Sequence, residues 1–202
     1  GKPGKLKITG LDIKRSDTPK FIQEFLKELL MDLLYGKTKK QIYDKILDFR
    51  DVFRNMKPWE KSVPKKVNNI SGYEEKIDAN LNVDIFNKRK QTKKVNLPGN
   101  VAAAMNWNKI IKLKNDNTVP EIKDGARIRT LPLKKNSYGM NTIAYPLELE
   151  NTLPSWFKKL PFDTILLENI CIDKKLTNLF GCLEWDLEKT KKSTAVNDFF
   201  DF

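Results

Sequence analysis

Between residues 19 and 57 the apolar positions recur every three or four residues. Phe21, Ile22, Phe25, Leu26, Leu29, Leu30 and Leu33 share one face of a helix, and Gly36 stands where such a helix would stop. Thr18 followed by Pro19 predicts the start, with Thr18 as N-cap and Pro19 at the first helical position. Thr38 is placed to cap a second helix carrying Ile42, Ile46, Phe49, Val52 and Phe53 on one face, with Pro58 beyond its end. The short Gly-Lys-Thr link predicts that the two helices run antiparallel. Both stripes read as core.

Elsewhere the pattern changes period. Leu6, Ile8, Leu11 and Ile13 alternate as a strand across Gly10. From Lys57 to Pro98 no period survives, and prolines, a glycine and paired asparagines predict an irregular segment of specific shape. A helix of small residues resumes after Asn100, and its run Ala102-Ala103-Ala104 predicts close approach to another element or to a ligand backbone. Residues 126–133 and 141–147 alternate as two strands around Gly139, a hairpin. Two further helical segments follow, then a Lys/Ser/Thr tether and the terminal Asn-Asp-Phe-Phe-Asp-Phe. The fold class is α+β, mainly helical.

Composition narrows the chemistry. The 202 residues contain no histidine and only Cys171 and Cys182, which excludes imidazole catalysis, a disulfide framework and a zinc site. No apolar run spans a membrane and no signal peptide is evident, so a reduced, cytoplasmic setting is expected. A chain beginning at Gly1 is expected to be a piece of a longer protein. Net charge is +12, and residues 1–95 carry 23 basic and 13 acidic side chains, a net of +10. That asymmetry points to a polyanionic partner contacted mainly by the first half, against the bland reading of a merely soluble basic surface. Five basic residues crowd into Lys88–Lys94.

The stretch "KLKITGLDIKRSDTPKFIQEFLKELL" (residues 5–30) resembles the palm-to-thumb junction of family B DNA polymerases, in particular the replicative enzymes of T-even-type tailed phages. There a strand with a Gly-Leu-Glu-like turn runs into an Arg-Arg-Asp-x-x-Pro-like helix start; here Gly10-Leu11-Asp12 and Lys14 to Pro19 occupy those places. Further landmarks agree in order and spacing: "VNNISGY" (67–73), "MNWNKII" (105–111), "TLPLKKNSYG" (130–139), "TIAYP" (142–146), "FDTILLE" (162–168) and the terminal "DFFDF". The resemblance covers essentially the whole chain. It implies the C-terminal end of the palm over 1–18, a duplex-gripping thumb over 19–190, and a tether with a clamp-binding tail over 191–202. In such enzymes phosphoryl transfer uses metal ions held by palm aspartates, which would lie outside this chain. The chain alone is therefore expected to be inactive and to need no cofactor, with Mg²⁺ in the palm of the full enzyme. Implied partners are primer–template DNA, a sliding clamp and the N-terminal exonuclease, fingers and palm portion, in the cytoplasm of a bacterial host. The rival class is a non-enzymatic, basic, clamp-associated DNA-binding accessory protein.

A thumb needs sequence-independent contact with phosphates. The candidates are Lys65, Lys66, Asn68 and Asn69, then Lys88, Arg89, Lys90, Lys93 and Lys94, with Asn100 at a helix start. The family places a His-(Val/Ile)-Arg-like element before the Asn-Trp-Asn block, its basic residue facing DNA. Here Asn100-Val101-Ala102 stands there, so either contact is weaker or a neighbour such as Lys94 compensates. Val196, Phe199, Phe200 and Phe202 have the spacing of a clamp-binding peptide, with Ser193 in place of its usual glutamine. Asp17 is expected to pair with Lys14 or Arg15, or to support the helix start. Trp59, Trp107, Trp156 and Trp185 are expected in packing rather than base stacking.

Overall fold

A computed structural model describes residues 15–79, 81–83, 89–91 and 95–191, with the backbone alone of 81–83, 89–91 and 178. The chain divides into two compact units, Gly1–Lys61 with Thr164–Phe202, and Ser62–Asp163. The division at Lys61 and Thr164 has no counterpart in the sequence pattern.

In the first unit, α1 (Lys20–Leu34) and α2 (Lys39–Asn55) form the expected antiparallel pair. Phe21 lies 6.2 Å from Phe53, Phe25 stacks on Phe49 at 3.7 Å, and Lys45 reaches Glu28 and Asp32 at 3.3 and 2.7 Å, in a regular antiparallel order. Ile22, Phe25, Leu26, Leu29, Ile42, Ile46 and Phe53 are buried. Val52 is not: it is 61% exposed, because the α2 face turns past it toward Phe53 and Arg50. The first helix also starts one residue late. Pro19 (φ −54°, ψ 142°) takes the cap position, and the buried Thr18 hydroxyl has no hydrogen-bond partner. Arg15 and Asp17 pair through two hydrogen bonds of 3.0 and 3.1 Å.

Both ends of the α1–α2 turn are fixed locally. Gly36 adopts φ +76°, which favours glycine, and the Gly36 and Lys37 amides donate to the Leu33 and Asp32 carbonyls. Thr38 and Gln41 then close a reciprocal capping box at the head of α2. Later in the chain α6 (Thr164–Glu168) continues through a π-helical turn, Asn169–Asp173, into α7 (Lys174–Cys182).

Buried charge holds this unit together. Arg50 is 1% exposed and donates to Glu168 at 2.7 Å, Asp173 at 2.5 Å and Thr190 at 3.2 Å. Arg54 grips Glu168 through two bonds of 2.9 Å. Burial pushes the Glu168 carboxyl up, but hydrogen bonds from Arg54 and Arg50 outweigh it and hold it below its ordinary value. Lys61 is also buried, its Nζ donating to the Phe53 carbonyl at 2.6 Å and lying 4.5 Å from the Phe53 ring centroid. That places a cation at the C-terminal end of α2, where the helix dipole favours one. Beside it, burial pushes the Cys171 thiol up to about 12.

The second unit contains β1 (Val63–Lys66), α3 (Ile70–Ala79), β2 (Leu81–Val83), β3 (Arg89–Gln91), α4 (Gly99–Lys114), β4 (Arg127–Pro132), β5 (Thr142–Pro146) and the short α5 (Ser155–Lys158). An antiparallel sheet runs β1–β4–β5, and β2 pairs with β3. The β4–β5 hairpin and the small-residue helix are as expected, and the close approach predicted from the alanines is that of α4 to β5. Ala103, Ala104, Trp107 and Ile110 are wholly buried. Asn108 works as a backbone surrogate there, donating to the Ile122 carbonyl at 2.9 Å and accepting from its amide at 2.8 Å. The region expected to be irregular is instead built from β1, α3 and the β2–β3 pair. Pro64 and two lysines disguised β1, which is tolerated as an edge strand.

Candidate nucleic-acid interface

Where β1 meets α3, the chain must turn sharply. Asn69 makes the turn at φ +63°, a conformation asparagine tolerates better than most residues. Its Oδ1 would lie 2.3 Å from a Cβ on residue 72, so Gly72 leaves the room that side chain occupies. Asp124 completes the corner from far along the chain, accepting from the Ile70 amide and from Ser71 Oγ at 2.9 Å. The Ile70 amide, followed by the Ser71 hydroxyl, holds its carboxyl below the usual range. The head of α3 is thus capped by the protein's own carboxylate.

This corner brings several of the sequence candidates together. Lys65 and Lys66 lie on β1, and Asn68 and Asn69 follow, both exposed. Asn100, in the first turn of α4, donates its amide to the Lys66 carbonyl at 2.8 Å. That bond ties the head of α4 to the end of β1. The Asn100 side-chain nitrogen is therefore engaged, whereas the sequence reading placed it toward phosphate.

The register adds a residue that sequence reasoning missed. Lys66 lies directly opposite Arg127 on β4, and Lys65 opposite Ile128. Lys66 and Arg127 are both exposed, and neither has an acidic partner among the described residues. Like charges directly opposed across a ladder disfavour the pairing, so the edge carries an uncompensated positive site. Two residues further along β4, Arg129 is engaged by Glu150 at 3.1 Å. The signal for Arg127 was the alternation of Arg127, Ile128 and Arg129, but it has no meaning until the strand it opposes is known. Residues 62–163 carry 18 basic and ten acidic side chains, a net of +8.

The remaining candidates are placed less fully. Arg89 and Lys90 lie on β3, opposite Val83 and Asn82. Lys88, Lys93 and Lys94 fall outside the described residues, as do Val196, Phe199, Phe200 and Phe202. Ala102 lines a shallow groove with Met105, Lys109 and Leu113. Trp107 is buried and Trp156 packs 5.2 Å from it, its indole nitrogen donating to Asp116 at 2.7 Å. Among the described residues no three His, Cys, Asp or Glu side chains come together as metal ligands would. No described helix is long and apolar enough to cross a membrane.

No family model matches the chain. It is 30% identical over 205 residues to the DNA-directed DNA polymerase of Escherichia phage RB69, an alignment covering 98% of this chain and 20% of that protein. The chain therefore spans about a fifth of the length of the curated relative it matches.

Proposed function

We propose that this chain is the C-terminal, thumb-bearing part of a family B phage replicative DNA polymerase, and that it grips primer–template duplex without reading its sequence. The observation that carries this reading is the similarity to the RB69 polymerase across 98% of the chain. The basic corner supports it. Lys66 and Arg127 present two exposed, unneutralised cations opposite one another on β1 and β4, and Lys65, Asn68 and Asn69 flank them. Such a site suits phosphate oxygens, which demand positive charge and hydrogen-bond donors but no base code. In this reading nucleotide transfer belongs to carboxylates and magnesium ions held by the palm, outside this chain. The tail, through Val196, Phe199, Phe200 and Phe202, ties the enzyme to a sliding clamp in the cytoplasm of an infected bacterium.

Three assays on the purified 202-residue chain test the reading. Labelled duplexes of unrelated sequence should bind equally well. Primed template with Mg²⁺ should show no extension. Deleting Asp198–Phe202 should abolish binding to the cognate clamp and leave duplex affinity unchanged. Strong preference for one duplex sequence, or extension by the chain alone, would defeat the assignment.

A further inference from the structure

Residues 34–40, which join α1 to α2, form a patch that duplex gripping leaves unexplained. Leu34 is 56% exposed and Tyr35 77%, two large apolar side chains side by side on a tip. Lys37, Lys39 and Lys40 follow at once, and the first turn of α2 holds no acidic residue. This is the positive end of a helix dipole, where cations are disfavoured. The backbone there satisfies itself: Gly36 and Lys37 bond back into α1, and Thr38 and Gln41 cap α2. The tip is therefore preformed, and its side chains rather than its amides face outward.

Charged residues of both signs surround it. Lys39 sits 5.5 Å from the ring centroids of both Tyr43 and Trp185. Glu24, Lys27, Glu28 and Asp32 share a shallow groove with Tyr35, and Lys45 engages Glu28 and Asp32. Asp44, one turn beyond Lys40, makes no ion pair with it, and neither Lys37 nor Lys40 has an acidic partner among the described residues. One turn thus carries an exposed aromatic ring and two exposed cations without an acidic partner among the described residues.

We propose that this tip is a second nucleic-acid contact, made with an unpaired strand: Tyr35 stacks on a base, and Lys37 and Lys40 hold the flanking phosphates. An aromatic face stacks on any unpaired base, while bases within a duplex present no free face. Two apolar side chains on a lysine-rich turn offer a ring to stack but no apolar helix face to sink into lipid. The contact lies on the first unit, whereas the residues assigned to duplex lie on the second, and it does not depend on that assignment.

The test is binding of the full chain to a short labelled oligo-dT strand and to a duplex, with salt varied. Tyr35→Ala should weaken single-strand binding roughly tenfold, and Tyr35→Trp should retain it. Lys37→Gln with Lys40→Gln should reduce the single-strand salt slope by about 1.4, at about 0.7 per phosphate. Melting temperature and duplex affinity should hold in Tyr35→Ala, whereas Lys66→Gln with Arg127→Gln reports on the duplex site alone. Unchanged oligo-dT binding in Tyr35→Ala would overturn the proposal. So would an equal loss on duplex, or a loss confined to phosphatidylserine vesicles.

Discussion

Two cation sites, one in each compact unit, use their charge in opposite ways. In the first, Arg50 is buried and encircled by Glu168, Asp173 and Thr190, Arg54 holds the same Glu168, and Lys61 is spent on backbone carbonyls. In the second, Lys66 and Arg127 oppose one another at a sheet edge with no described acid to quiet them. The charge balance follows, with net +4 over 1–61 and 164–202 against net +8 over 62–163. A count of lysines and arginines along the chain cannot separate these uses. What separates them is whether the folded neighbours answer the charge. Cations answered inside the protein stabilise it, and those left unanswered are available to a partner.

The largest effect should come from breaking an answered charge. Arg50→Ala leaves Asp173 and part of Glu168 without their cation, and removing one member of a buried pair costs about 3–5 kcal/mol. Urea denaturation should show a loss of that order. A loss within about 0.5 kcal/mol, the range expected of a surface substitution, would erase the contrast between the units.

A smaller effect concerns acid. Because the Glu168 pKa is held below its ordinary value of 4.5, its charge contributes stability fully above that value. The contribution fades as pH falls through the depressed value. Melting temperature should therefore drop on acidification below 4.5, and Glu168→Gln should start lower but fall less steeply. Parallel curves for the two proteins would show that Glu168 plays no part in the acid response.

The smallest effect should have the opposite sign. Lys66→Thr or Arg127→Thr removes cross-strand repulsion and places a strand-favouring residue on β1 or β4. Each should raise stability by roughly 0.2–1 kcal/mol. A clear loss of stability in both would mean that the pair is already compensated in the free protein.

Legibility in the sequence followed the range of the interactions. The α1–α2 hairpin was readable because Thr38, Gln41 and Gly36 act within a few residues of themselves. The hairpin around Gly139 was readable for the same reason. The head of α3 was not, because its capping carboxylate, Asp124, comes from 54 residues away. Nor was β1, whose Pro64 and lysines argue against a strand until β4 provides a partner. The candidate site was half legible for that reason: Lys65, Lys66, Asn68 and Asn69 announced themselves locally. Arg127 required the register, and Asn100's bond to the Lys66 carbonyl required the packing of α4. The first-helix cap failed on a smaller scale, with Pro19 displacing Thr18 by one position.

The measurement that tests the central claim most directly is the salt dependence of duplex binding by the full chain and by Lys66→Gln with Arg127→Gln. Each lost phosphate contact should lower the log–log slope by about 0.9, so the double variant should be shallower by about 1.8. Stability should be unchanged or slightly higher. An identical slope in the two proteins would contradict the account, and would assign the lysines of β1 to guarding a sheet edge against pairing with other chains.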